Sequence, residues 1–413
     1  MRIDTSTRPM TGGFQTAVVH HPHTAVVATC AEDVARAVRL AATHDLPVTV
    51  QATGHGQGAA CDGGVLIDTA GLAAVAVDPA SATARIGAGT PWSAVVAAAA
   101  AHGLAPVSGS FPGVGAVGYT LAGGFGLLGR AFGYASDHVQ ALEVVTADGQ
   151  LRRVDAAHDP DLFRALRGGR GAAGIVTAME IGLVTLDRVT GGGLFLDAGR
   201  LSTVAPVVAE LMATAPDTLT VHLGALAVPD LPTLPPPMRG RHLLHVRLVG
   251  LDPAAVRRAE ARVRAAGHVL AGGIRDMPWT DSGTIVGEPD HPHPFEGTNA
   301  LVRGVPGADD LTALVGQAGR DQVLEIRPLG GALAVAPSVP DSVPFREAGA
   351  VVRVIGPAAP DTGDAQRRVL DVVADRTLGR AAGFLYGAAR VRARAEEVYD
   401  PATLVDLRST VDR

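Results

Sequence analysis

The chain has 413 residues, is 47% hydrophobic and carries a formal net charge of −6. That length exceeds what one ordinary domain needs for its core, so two domains are expected, and no basic stripe with interleaved aromatics suggests nucleic acid. No lysine occurs, so all 35 basic residues are arginine; pyridoxal-phosphate enzymes, Schiff-base aldolases, P-loop nucleotide sites and Ser–Lys hydrolases, which need a lysine amine, are excluded.

In chain order, Thr29-Cys30-Ala31-Glu32 has the form of a capping box. Val34, Val38 and Ala41 recur behind it at helical spacing, predicting a helix that stops near Asp45. Pro47 to Gln51 and Val65 to Asp68 are predicted strands, and Ala84 to Gly87 a further short one. Thr90-Pro91-Trp92 opens an alanine-rich helix, with proline at its first position, that ends at Gly103. Val107 to Gly126 is glycine-dense and expected to be irregular. Val139 to Thr146 and Leu151 to Val154 predict a hairpin about Asp148-Gly149, Asp159-Pro160 starts a helix through Leu166, and a second glycine loop, Arg167 to Gly174, precedes a strand over Ile175 to Ile181.

From about Leu183 the pattern changes. Strands at Leu194 to Leu196, Leu219 to Val228, His242 to Val249, Val323 to Arg327 and Val351 to Ile355 alternate with helices. The helices lie near Thr203 to Met212, Pro253 to Ala266, Asp309 to Gly316 and Ala365 to Asp375. This predicts an α+β segment, an antiparallel sheet backed by helices. The cysteines, Cys30 and Cys61, form no disulfide framework and have no metal-ligand spacing. Met1 to Gln15 lack a secretory signal pattern and no apolar stretch is long enough to span a bilayer, so the expectation is a cytoplasmic protein without membrane contact.

The loop Ala52-Thr53-Gly54-His55-Gly56-Gln57-Gly58 lies between two predicted strands. Its glycines let backbone N–H groups turn inward as a phosphate or pyrophosphate requires, and an imidazole among them can bind, or become bonded to, a phosphate-bearing cofactor. A polar turn histidine at a hairpin is the plainer alternative. Gly113-Val114-Gly115-Ala116-Val117-Gly118 matches GxGxxG, but it follows a turn-rich segment instead of a strand opening a βαβ unit, which argues against nicotinamide binding.

Taken in order, several motifs carry a resemblance. They are Thr53-Gly54-His55-Gly56, then Pro112-x-x-Gly115-x-x-Gly118-Tyr119-x-Leu121-x-Gly123-Gly124-x-Gly126, then Asp137-x-Val139, Leu162-Phe163-x-Ala165-Leu166-Arg167-Gly168-Gly169 and Gly174-Ile175-Val176-Thr177. The chain resembles the FAD-linked oxidases with a PCMH-type flavin domain, in the berberine-bridge-enzyme-like branch, over Val18 to Val184 and more weakly from Gly379 onward. The resemblance implies a two-subdomain FAD-binding domain over 1–187, an α+β substrate domain over 188–376, and a C-terminal segment, 377–413, returning to the FAD domain. It implies FAD bonded through His55, with Thr53, Gly54, Gly56 and Gln57 around the pyrophosphate. Pro112, Gly115, Gly118, Gly123, Gly124 and Gly126 would line the isoalloxazine and ribityl chain, and Gly174, Ile175 and Val176 the adenosine side. Relatives often carry a second attachment at a cysteine before the proline; Phe111 stands there, leaving one attachment.

The resemblance further implies an oxidase that takes hydride from an alcohol, amine or ring carbon of a small molecule, in a specialised-metabolism step, with dioxygen as acceptor. Relatives carry Tyr-x-Asn-Phe/Tyr after Gly-Arg; Gly379-Arg380-Ala381-Ala382-Gly383-Phe384-Leu385-Tyr386 departs from this, so the usual base is unassigned. Relatives are also expected to continue beyond the position of Val411-Asp412-Arg413. These departures motivate the alternative of a flavoprotein with a lapsed redox role, catalysing a cyclisation or elimination or only binding a ligand. The catalytic candidates are Tyr119, Glu325, Arg327 and Tyr386. Tyr119 faces the flavin or packs half-buried, and Asp137 reads as a cap or turn aspartate. His222, His245, Glu325 and Arg327 lie on strands whose alternation lets one face see the cavity. His20-His21-x-His23 and His291-Pro292-His293 read as solvated loops, not metal sites. Oligomeric state is open.

Overall fold

The computed structural model describes residues 2–4, 13–170 and 173–389. Strands β1 (Arg2–Asp4), β2 (Thr24–Val27), β3 (Val48–Gln51) and β4 (Val65–Asp68) form a sheet of order β1-β2-β4-β3. Helix α1 (Ala31–Thr43) covers it, burying Val34, Val38 and Ala41 against Val26, Val65 and Ile67, as its 3.6-residue periodicity predicts. The capping box does not form. Cys30 is the residue before the helix, and Asp33 accepts from the backbone N–H and the hydroxyl of Thr29, both at 2.9 Å. A carboxylate one position further along reaches the same unsatisfied donor. Strands β3 and β4 pair in parallel, so the loop between them is a crossover and not a hairpin turn.

The second sheet is antiparallel. Its strands are β5 (Val75–Asp78), β6 (Thr83–Gly87), β8 (Val139–Val145), β9 (Leu151–Asp155) and β10 (Ile175–Gly182), in the order β5-β6-β10-β8-β9. Short strands β7 (Leu104–Ala105) and β11 (Val184–Thr185) pair beside it. Helices α2 (Trp92–Ala100), α3 (Ala116–Leu121), α4 (Gly129–Phe132) and α5 (Pro160–Leu166) connect these elements. Trp92, Phe163, Leu166 and Met179 are among its largest buried apolar groups. Two expectations are corrected here. Pro91 precedes α2 instead of occupying its first position, and the stretch expected to be irregular contains α3.

The third sheet has eight strands: β12 (Arg188–Asp197), β13 (Leu219–Ala227), β14 (His242–Gly250), β15 (Val269–Pro278), β16 (Glu296–Arg303), β17 (Val323–Pro328), β18 (Ala348–Gly356) and β19 (Thr377–Gly379). Their order is β15-β12-β14-β13-β17-β18-β16-β19. Helices α6 (Leu201–Thr214), α7 (Pro253–Ala266), α8 (Ala308–Gln317) and α9 (Thr362–Leu370) cover one face with a core that includes Leu223, Val246, Ile326 and Val352. Pleating sends the intervening residues to the other face. Those residues, His222, His245, Arg247, Glu325, Arg327 and Arg353, are polar and nevertheless buried. Among the described residues, no helix is long and apolar enough to cross a membrane.

Candidate functional site

A cavity of about 1250 Å³ runs from the β3–β4 crossover, past α3 and β10, to the polar face of the eight-stranded sheet. That crossover is the loop holding His55. Gly54 turns the chain there at φ +68°, a conformation glycine adopts without steric penalty. The segment before β2 fastens to the same loop, with Phe14 N–H donating to Thr53 O (3.0 Å) and Gln15 N–H to Gly54 O (3.2 Å). Thr53 Oγ1 accepts from Gly115 N–H at 3.1 Å, joining the two glycine-rich segments. From the C-terminal side, Gly387 N–H donates to Gln57 O at 3.0 Å. The rest of the C-terminal segment, 390–413, lies outside the described residues.

His55 is enclosed by rings. Phe14 stacks on it at 4.5 Å and 27°, Phe111 lies at 5.3 Å, and Phe295 and Tyr386 lie at 6.0 Å. Its Nδ1 is buried with no hydrogen-bond partner. Burial pushes its pKa down to about 4, and Glu288 opposes this only in part. At neutral pH the imidazole is therefore uncharged, with a buried ring nitrogen left unsatisfied. Such an atom is costly unless something else completes it.

Of the residues expected to hold the cofactor, Thr53, Gly54, His55, Gly56, Gln57, Gly115, Gly118, Gly174, Ile175 and Val176 line the cavity. Pro112, Gly123, Gly124 and Gly126 do not, and packing explains why. A Cβ on Gly124 would meet the Tyr119 ring at 2.4 Å, and one on Gly126 would meet Ser108 O at 1.9 Å. Gly123 faces Val343 and Tyr134, and Pro112 packs on Gly283. These glycines make room for protein, not for a ligand.

Tyr119, Arg327 and Tyr386 line the cavity and Glu325 does not. Glu325 instead gathers three guanidiniums: Arg247 Nη1, Arg353 Nη1 at 3.0 Å and Arg327 Nη2 at 2.8 Å. Burial alone would raise its pKa, but Arg327, Arg247 and Arg353 outweigh burial and hold it well below the usual carboxylate range. A carboxylate so held is an anchor and not a base. Register explains the cluster. Glu325 lies opposite Arg353 on β18 and opposite Gly224 on β13, and Gly224 has no side chain to obstruct Arg247 reaching across. Arg353 lies 4.6 Å over Phe384 and 5.3 Å over Tyr386.

Tyr386 and the hydroxyl of the half-buried Tyr119 are shut off from water, which raises their pKa values; Arg353 and Arg327 respectively oppose this only in part, so both remain phenols. Tyr386 Oη lies 3.5 Å from Arg353 Nη2, and Tyr119 packs edge-on against Trp92 at 5.6 Å. Periodicity missed Glu288, a half-buried carboxylate of the lining that accepts from Ser110 Oγ at 2.6 Å. Its only local signal is Gly287-Glu288-Pro289, a turn with Gly287 at φ +65°. Arg353 was also missed; a lone arginine in an apolar strand such as Val351 to Ile355 is the available sign. Asp137 accepts from Tyr134 N–H at 2.9 Å and pairs with Arg346, so it is a cap. The expectation of solvated histidines fails at His20, which is buried, lies 3.0 Å from Gln51 Oε1 and accepts from Cys61 N–H at 2.9 Å. It also fails at His293, whose ring packs 5.0 Å from Phe295.

Residues 22–155 match the family described as FAD binding domain. The (R)-6-hydroxynicotine oxidase of Paenarthrobacter nicotinovorans is 35% identical over 197 residues, covering 47% of this chain and 43% of that protein. The match thus spans less than half the length of that curated relative. The crystal structure of 6-hydroxy-D-nicotine oxidase from Arthrobacter nicotinovorans superposes with a TM-score of 0.80 at 22% identity, over 97% of this chain and 91% of that one. The berberine-bridge-enzyme-like protein 1 of Physcomitrella patens superposes with a TM-score of 0.82 at 18% identity, over 97% and 90%. The chain therefore carries a PCMH-type FAD-binding domain within the fold of the berberine-bridge-enzyme-like proteins.

Proposed function

We propose that this chain, built on a PCMH-type FAD-binding domain, is an FAD-dependent oxidoreductase that removes hydride from a carbon of a small organic substrate, with dioxygen as acceptor. The observation that carries this reading is His55, which lines a large cavity and whose buried Nδ1 has no hydrogen-bond partner in the protein. The residues present fit the cofactor. His55 would attach it, Thr53 to Gln57 and Gly115 would supply backbone around it, and a Cβ on Gly118 would meet nothing within 4 Å, which leaves open space beside α3. FAD, when bound, supplies the hydride acceptor.

The chain's own groups bind, orient and move a proton. Glu288 is the carboxylate of the lining nearest the rings around His55 and the arginine pair, and it is placed to take a proton from a substrate hydroxyl or amine. Ser110 orients it through their 2.6 Å bond. Tyr386, a phenol that lines the cavity and accepts from Arg353, keeps its own proton for a hydrogen bond to the substrate. Phe14, Phe111, Phe295 and Phe384 surround this end with apolar surface and keep water out. Purified protein should be yellow, and anaerobic addition of a substrate should bleach it; preparations that stay colourless when supplied with FAD would refute the reading.

A further inference from the structure

The polar face of the eight-stranded sheet carries more positive charge than it neutralises. Arg247, Arg327 and Arg353 are 5%, 3% and 5% exposed, and the carboxylate they share is Glu325 alone. The histidines beside them add no negative charge: burial first, and neighbouring arginines next, hold His222 and His245 neutral. Three guanidiniums face Glu325 and, from the cavity lining, Glu288, which acts on Arg247 and Arg353, so the buried cluster keeps one positive charge in excess. Such an excess is strongly unfavourable unless something anionic completes it.

Geometry shows where that completion comes from. Arg247 is spent on the protein, its Nε donating to His245 Nδ1 at 3.1 Å and its Nη1 to Glu325. Arg327 and Arg353 are engaged only in part: Arg327 Nη2 lies 2.8 Å from Glu325 Oε2, and Arg353 donates through Nη1 to Glu325 and through Nη2 to Tyr386 Oη. Both line the cavity, and the Nε of each is buried without a hydrogen-bond partner. Phe384 lies 5.3 Å from Arg327 and 4.6 Å from Arg353, holding both planes in place. Two fixed guanidiniums with unused donors are the arrangement that receives a carboxylate or phenolate.

We infer that the substrate is an organic anion, a carboxylate or phenolate, whose negative group is received by Arg327 and Arg353. This rests on the oxidoreductase reading of the cavity and narrows it: protonated amines are repelled by the same pair. Glu288, bonded to Ser110, remains in the lining to accept a proton.

The test uses purified holoprotein and three probes sharing one ring: benzoate, benzyl alcohol and benzylamine. Binding is read by calorimetry and by perturbation of the flavin spectrum. Benzoate should bind at least tenfold tighter than benzyl alcohol, with benzylamine weaker still. Added sodium chloride should narrow the gap, and Arg327→Gln or Arg353→Gln should weaken benzoate at least tenfold while sparing benzyl alcohol. Equal or tighter binding of benzylamine overturns the inference, as does a benzoate affinity unchanged in both variants with an altered flavin spectrum, which would assign the arginines to the cofactor. If both variants fail to fold, the ranking of the three probes on the native protein decides. Protein that takes up no FAD overturns the reaction reading instead, and calorimetry still ranks the probes.

Discussion

Arg353 Nη1 lies 3.0 Å from Glu325 Oε2, and the two residues face each other directly across β18 and β17. The pair sits on the buried face of the eight-stranded sheet with Arg247 and Arg327 converging on the same carboxylate. Removing that carboxylate leaves three buried cations. Glu325→Ala is expected to destabilise the protein by about 3–5 kcal/mol, measured by urea unfolding. A Glu325→Ala protein of native stability would show that the cluster is solvated.

His55→Ala should abolish acid-stable flavin while leaving room for FAD held without a bond. The measurement is the colour and mass of acid-precipitated protein. Retention of the flavin mass on the polypeptide would place the attachment elsewhere.

Gly124 and Gly118 separate packing from ligand space. Gly124→Val sets a branched side chain against Tyr119 at φ +69° and should lower stability by about 2–4 kcal/mol. Gly118 lies in α3 facing open cavity, so Gly118→Ala should alter stability by no more than about 1 kcal/mol, whereas Gly118→Phe should reduce bound FAD. Thermal melts and flavin-to-protein absorbance ratios check both. Equal melts for the Gly124→Val variant and the parent would contradict the contact with Tyr119.

Glu288→Gln should lower kcat by about 10²- to 10⁴-fold if Glu288 is the base, with flavin content and melting temperature unchanged. Stopped-flow bleaching under anaerobic conditions reads this step directly. A bleaching rate within twofold of the parent would remove Glu288 from the role.

Stability should fall with acid. His222 and His245 have folded pKa values well below 6.5, because burial and then nearby arginines disfavour the charged ring. Below pH 6.5 the unfolded chain binds protons that the folded one does not, so stability drops as pH falls, by about 1.4 kcal/mol per pH unit for each histidine kept neutral. Urea midpoints at pH 7.5 and 5.5 test this, and His245→Asn should flatten the difference. A pH-independent midpoint would mean that both rings protonate in place.

Much of the framework was legible in the chain. The 3.6-residue spacing of Val34, Val38 and Ala41 located α1, and the alternation in Val323 to Arg327 located β17 with its two faces. Strands β15 and β16 were missed because Gly272, Gly273, Gly297 and Asn299 break their apolar pattern, while pairing with β12 holds β15 extended and pairing with β18 and β19 holds β16. The capping box failed because a competing carboxylate, Asp33, was as near as Glu32. Gly123, Gly124 and Gly126 were expected to line the flavin, but a glycine crowded by Tyr119, Val343 or Ser108 is indistinguishable in sequence from one crowded by a ligand.

What the sequence determined alone is local: the glycine turns around His55, the periodicities of strand and helix, and the lack of any lysine, since each depends on neighbours along the chain. The charge at the site was decided only by tertiary structure. Arg247 meets Glu325 across 78 positions and Ser110 meets Glu288 across 178, and no pattern of short period encodes which strand lies beside which. Sheet register sets those meetings, and with them whether a buried carboxylate serves as a base or as the anchor for three arginines.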